Sequence, residues 1–152
     1  MSSFDRHTAK LPSAPLRSKA FADMGDPYVI KWDVIDINDM DRFVIRFERV
    51  HSQWRQGVWL STDGGIEIKG NIYPSIYIWS DAEPKETEFL CHTALGKLHV
   101  YNVWDRGRGV NSQAYSSGMK IEKTKKGLRY ACNDIGFDTS FDKLVFVLEK
   151  IN

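Results

Sequence analysis

The chain predicts an all-β fold: an antiparallel β-sandwich, jelly-roll-like, of about ten short strands behind a flexible N-terminal arm. Three observations carry this expectation. After Gly25 the sequence is a series of short runs in which apolar and polar residues alternate. Clusters of Gly, Asn, Asp and Pro separate the runs. No segment after Gly25 sustains a helical period.

Residues 1–26 are polar, carry Pro12 and Pro15, and show no strong period. They are expected to form a loose arm with one short helical turn near Lys19–Met24. Residues 27–152 then make one sandwich domain, long enough to bury a core. "YVIKWDVIDI" places Tyr28, Ile30, Trp32 and Val34 on one strand face. "RFVIRFERV" sets Phe43, Ile45 and Phe47 against Val44, Arg46 and Glu48. "NDMD" between them reads as a hairpin turn, because Asn and Asp bond their own backbone and tolerate left-handed geometry. "VWLSTDGGIEIKG" reads as a second hairpin, turning at Asp63-Gly64-Gly65. In "NIYPSIYIWS" the alternation groups Ile72, Ile76 and Ile78, and opposite them Tyr73, Tyr77 and Trp79; Pro74 confines this strand to an edge or a bulge. "TEFLCHT", "KLHVYNVW", "SGMKIEKT" and "GLRYAC" follow. "KLVFVLEKI" ends the series; it is apolar on both faces and is expected to lie centrally.

Composition narrows the function. Net charge is +1, so no global field favours nucleic acid or a membrane surface. No run approaches the ~20 apolar residues of a membrane helix. The N-terminus lacks the apolar core of a secretory signal, so none is expected. Cys91 and Cys132, the two cysteines, sit in strand-like runs and are expected as buried free thiols, which points to a cytoplasmic location. Adjacent Cys91 and His92 point to opposite strand faces, and His7, His51, His92 and His99 show no metal spacing. No cofactor motif is present.

Two stretches are candidate ligand sites. Tyr73, Tyr77 and Trp79, spaced two apart on a sheet face, make a platform of the kind that stacks on sugar rings or bases. The competing expectation packs that face on a second layer. "YNVWDRGRGVNSQAYSSGM" leads from a strand into a loop with two arginines between glycines. Arg106 and Arg108 suit phosphate or carboxylate groups, and Gly107 and Gly109 would let backbone amides approach an anion. Trp104 walls the pocket in this picture and Asp105 orients an arginine; in the competing one Trp104 lids the core and the loop is architectural. "GRG" is no P-loop, lacking G-K-[ST] and a following helix. Ser116 and Ser117 lack the G-x-S-x-G elbow.

"CNDIGFDTSFDKLVF" gathers Asn133, Asp134, Asp138 and Asp142, residue types that suit Ca²⁺, without EF-hand spacing. Its end resembles the closing segment of some bacterial β-sandwich domains at Asp138, Phe141, Asp142, Leu144 and Val145. Lys143 departs from that pattern by placing a cation where an acidic ligand stands. The resemblance therefore implies a turn and a strand, and no activity. "KIEKTKKGLRY" is locally basic, which reads as edge protection by lysines rather than a nucleic-acid contact.

The leading expectation is a non-catalytic binding or interaction module whose ligand is a polar or anionic small molecule, a glycan or a protein partner. It would be met by the 101–119 loop and the Tyr73/Tyr77/Trp79 face. The second is a small hydrolase- or isomerase-like enzyme with a cleft between sheets and His92 or His99 as base. The third is an assembly subunit that forms a homodimer through its aromatic face.

Overall fold

A computed structural model describes residues 11–151. The chain enters through β1 (Leu16–Arg17) and α1 (Lys19–Asp23). The strands β2 (Ile30–Asp36), β3 (Arg42–Val50), β4 (Arg55–Ile68) and β5 (Asn71–Trp79) come next. They are followed by β6 (Glu86–Cys91), β7 (Lys97–Asp105) and β8 (Val110–Asn111). A meander of β9 (Gly118–Lys123), β10 (Gly127–Asn133) and β11 (Leu144–Lys150) closes the chain. The fold is all-β with antiparallel pairing, as expected.

The hydrogen-bonded ladder runs β2-β9-β10-β11-β3-β6-β4-β7 and returns to β2. The sheet therefore closes into an eight-stranded barrel, where two separate facing sheets were expected. Two corners that the sequence presented as hairpin turns produce this closure. "NDMD" does not fold β2 back on β3. Instead β2 pairs with β7 and β3 with β6, so one bent run of chain follows another. The Met40 N–H donates to the Cys91 carbonyl (2.8 Å), and the Cys91 N–H to the Asp41 carbonyl (2.9 Å).

Asp63-Gly64-Gly65 does not end a strand either. β4 continues through it with a shift of register against β5, and the hairpin turns later, at Lys69 and Gly70. β4 pairs with β7 along Arg55–Ser61, then with β6 at Ile66 and Glu67. A Cβ on Gly64 would stand 2.2 Å from the His92 carbonyl oxygen, so only glycine permits the approach. β11 lies between β10 and β3, the central place expected for it.

Inward-facing residues fill the barrel. Ile45, Val58, Leu60, Ile66, Leu98, Val100, Tyr130, Leu144 and Phe146 are fully buried in one cluster. Cys91 and Cys132 are buried free thiols, and burial pushes Cys91 up to about 12.

The N-terminal segment departs from the expected arm. The helical turn is present at Lys19–Asp23, with the Ser18 hydroxyl accepting the Phe21 N–H (3.3 Å) as its cap. Phe21 is 1% exposed and packs in a second small core with Val29 and Phe141. The part of the arm within the described residues is thus docked; residues 1–10 and His7 lie outside them. Apolar burial of Phe21 supplies the docking energy that its polar neighbours lack. No helix of the described residues is long and apolar enough to cross a membrane.

Replacing Phe21 by Ala should lower unfolding free energy by about 3 kcal/mol, read by urea denaturation. A change within about 0.5 kcal/mol, the range of an unpacked surface site, would contradict the docking. Gly64→Ala should lower the melting temperature clearly, because the His92 backbone has to retreat.

Candidate functional site

Directly paired residues of an antiparallel ladder share a face. That rule assembles an aromatic row on the outside of the barrel. Trp59 of β4 pairs with Tyr101 of β7 on one side and Tyr77 of β5 on the other. The β2–β7 register brings Trp32 beside Tyr101. Four strands thus contribute one ring each. Trp59 stacks on Tyr101 at 4.4 Å and 16°, and Trp32 stands 4.9 Å from Tyr101. Trp79 extends the row, stacked 6.1 Å from Tyr77. It lies over Gly57, where a Cβ would come within 2.8 Å of its ring. Val58 and Leu60, on the alternate face of the same strand, fill the core.

Burial grades along the row. Tyr101 is 9% exposed, Trp32, Trp59 and Trp79 are half-buried, and Tyr77 is 49% exposed. Burial pushes the Tyr101 phenol up and keeps it protonated, although a hydrogen bond to Ser112 opposes the shift. His99 anchors one end. The Trp32 Nε1–H donates to its Nδ1 at 3.0 Å, which places the imidazole proton on Nε2. Burial lowers His99 below its ordinary value. Arg55 holds the other end, its guanidinium 4.3 Å from the Trp79 ring centroid, with Nε donating to Asp81 at 2.9 Å.

The predicted site residues divide. Tyr77 and Trp79 share the outer face, as expected. Tyr73 pairs with Ile66, beyond the register shift in β4, is 41% exposed and makes no ring contact with Tyr77 among the described residues. Trp104 pairs with Gln56 on the inner face and is 1% exposed, so it lids the core and walls no surface pocket. Its Nε1–H and the Gln56 Oε1 have no partner among the described residues.

Asp105 binds no arginine there. Its Oδ1 accepts the Gly107 N–H (2.7 Å) and the Gly109 N–H (3.3 Å). The glycine amides expected to receive an external anion are therefore occupied by the chain's own carboxylate. Gly107 and Gly109 adopt φ of 99° and 113°, which favours glycine at both. Arg106 lies 5.1 Å over the Trp54 ring, and Arg108 is exposed. Neither forms an ion pair with a described residue. The loop adjoins the row, because Asp105 pairs with Arg55.

Trp32, Trp59, Tyr101 and Arg55 were missed as site residues. Strand parity was their available signal; it gives faces, but not which strands become neighbours.

The carboxylates of the acidic segment are engaged by the chain's own groups. Asp134 Oδ2 accepts from Ser52 (3.1 Å) and Gln56 (3.0 Å). Asp138 pairs with Lys143 (3.1 Å), and Asp142 with His51 (3.0 Å). Bonds from Ser140 and then Lys143 draw Asp138 down to about 2. No group of three candidate metal ligands occurs among the described residues.

A wider depression of about 900 Å³ lies on the outside of β3 and β6, lined by Arg42, Arg46, Glu67, Glu86 and Glu88. His92 Nε2 sits 2.8 Å from the Glu67 carboxylate beside it. Comparison of the chain with protein-family models and with curated proteins finds no match.

His99 yields a pH prediction. Its folded pKa lies below the unfolded value of 6.5, so its contribution is complete above that value and falls as pH drops through it. Melting temperature should therefore decline from about pH 7 to about pH 5, and decline less in His99→Leu. Equal pH slopes in the two proteins would contradict the buried, neutral imidazole.

Proposed function

We propose that this protein is a non-catalytic binding module that takes an acidic glycan along its outer aromatic row. The observation that supports the reading is the row itself: Trp32, Tyr101, Trp59, Tyr77 and Trp79 in succession across β2, β7, β4 and β5. Aromatic faces stack on the C–H faces of sugar rings, and half-buried rings held by their neighbours lose little freedom on binding. Arg106 and Arg108 stand at one end of the row and offer guanidinium forks to carboxylate or sulfate groups of the same ligand. The reading treats the barrel as flattened, the closed counterpart of a jelly-roll-like sandwich, with these four strands forming one broad layer. The unbridged cysteines favour a cytoplasmic setting for it.

A hydrolase- or isomerase-like enzyme is the second reading. The His92–Glu67 pair beside the wider depression favours it. Cys91, next to His92 in sequence, is buried with its thiol held protonated by burial. His99, the other base considered, is buried with Nδ1 engaged by Trp32.

Titration of neutral and acidic oligosaccharides, followed by tryptophan fluorescence and calorimetry, tests the proposal. Tyr77→Ala should weaken binding roughly tenfold, equivalent to about 1.4 kcal/mol. Replacing Arg106 and Arg108 together by Ala should remove the preference for acidic chains and flatten the dependence on salt. No binding of any glycan, or binding indifferent to these changes, would sink the proposal.

A further inference from the structure

The barrel end where β3 passes into β4 and β10 into β11 holds a pocket of about 420 Å³, whose lining includes His51, Ser52, Trp54, Asp134, Ile135 and Lys143. The two connections are tied together where the His51 N–H donates to the Lys143 carbonyl (3.1 Å). Asp134, one residue beyond β10, is 1% exposed. A charged group buried to this degree is normally paired with an opposite charge. Asp134 has no such partner among the described residues. The two basic residues of the pocket wall, Lys143 and His51, lie against Asp138 and Asp142 instead.

Neutral donors hold the carboxylate in place. Its Oδ2 accepts the Ser52 hydroxyl (3.1 Å) and the Gln56 Nε2–H (3.0 Å), and its Oδ1 accepts the Ile135 N–H (2.7 Å). A carboxylate offers about four acceptor positions, so one remains, on Oδ1. Gln56 shows what this arrangement costs. Its Nε2 also donates to the Trp54 carbonyl (3.4 Å), so a flip of the amide would set Oε1 against two acceptors. Oε1 is thereby fixed in a buried position with no partner among the described residues. A buried amide left half-satisfied while it holds a carboxylate at a pocket wall points to a ligand for that carboxylate.

We propose that this pocket binds a small organic cation with N–H donors, a primary ammonium or a guanidinium, whose charged head donates to Asp134 Oδ1. Such a cation supplies both the missing charge and the missing donor. A metal ion does not suit the site, because one carboxylate and one hydroxyl fall short of the roughly six to eight oxygens that Ca²⁺ takes. The pocket has the volume of a small-molecule site. Lys143 moderates the affinity from the wall, since its ammonium repels a second cation beside it. Asp134 carries this site and the aromatic row does not, so it stands whether or not that row takes a glycan.

Amide NMR of the full chain, titrated with n-butylammonium, n-butylguanidinium or tetramethylammonium chloride at constant ionic strength, tests it. At least one of the first two should shift the Ser52 and Ile135 amides and the Trp54 indole N–H, with a dissociation constant on the order of 1 mM. Tetramethylammonium, which has no N–H, should bind roughly tenfold more weakly. Asp134→Asn keeps an acceptor for Ser52 and removes the charge. It should weaken binding roughly tenfold or more, with the remaining resonances in place as the check on folding. Lys143→Met leaves Asp134 untouched and should tighten binding about threefold. No shift with either N–H cation, or equal binding of tetramethylammonium, would overturn the proposal. So would an affinity indifferent to Asp134→Asn or, where that variant does not fold, to Lys143→Met.

Discussion

Closure of the sheet depends on the Asp63 carboxylate at the corner of β4. β6 and β7, paired on one edge with β3 and β2, line up on the other in succession along β4, which requires a tight break between them. Asp63 makes that break stable by accepting the N–H groups of Ala94 (2.9 Å) and Leu95 (3.2 Å) and the Thr93 hydroxyl. Burial alone would raise its pKa. The bonds from Thr93, Ala94 and Leu95 outweigh burial and hold it below the ordinary carboxylate value. The corner is therefore tightest when Asp63 is charged, and it loosens as pH falls through the carboxylate range.

That closure explains why β7 is buried on both faces. Its inner face packs Leu98, Val100 and Trp104 into the barrel, and its outer face carries His99, Tyr101 and Val103 under the rings of neighbouring strands. Among the interior's polar pairs, the Tyr130 hydroxyl donates to Asp33 at 2.6 Å. Burial raises Asp33 despite that bond. Its stabilisation is thus greatest at low pH and is lost as pH rises, the reverse of Asp63. The tyrosine keeps a buried carboxyl from standing unpaired, which limits the cost of placing it there.

Much of the fold was legible because alternation is a local property. Phe43, Ile45, Val58, Leu60, Leu144 and Phe146 face inward where period two places them, and the helical turn at Lys19–Asp23 follows from its own sequence. Barrel closure was not legible, since Asp-Gly-Gly and Asn-Asp are equally good as hairpin turns and as corners. What decides between them is tertiary: the approach of His92 to Gly64, and of Cys91 to Met40 and Asp41. The same limit applies to the site. Parity placed Tyr77 with Trp79, whose rings stack, but did not show that Tyr73 pairs beyond a register shift in β4 and joins no ring contact among the described residues. It could not unite Trp32, Trp59 and Tyr101, which come from three separate runs. The arginine loop was legible as a loop, but not the carboxylate of Asp105 that fills its amide nest.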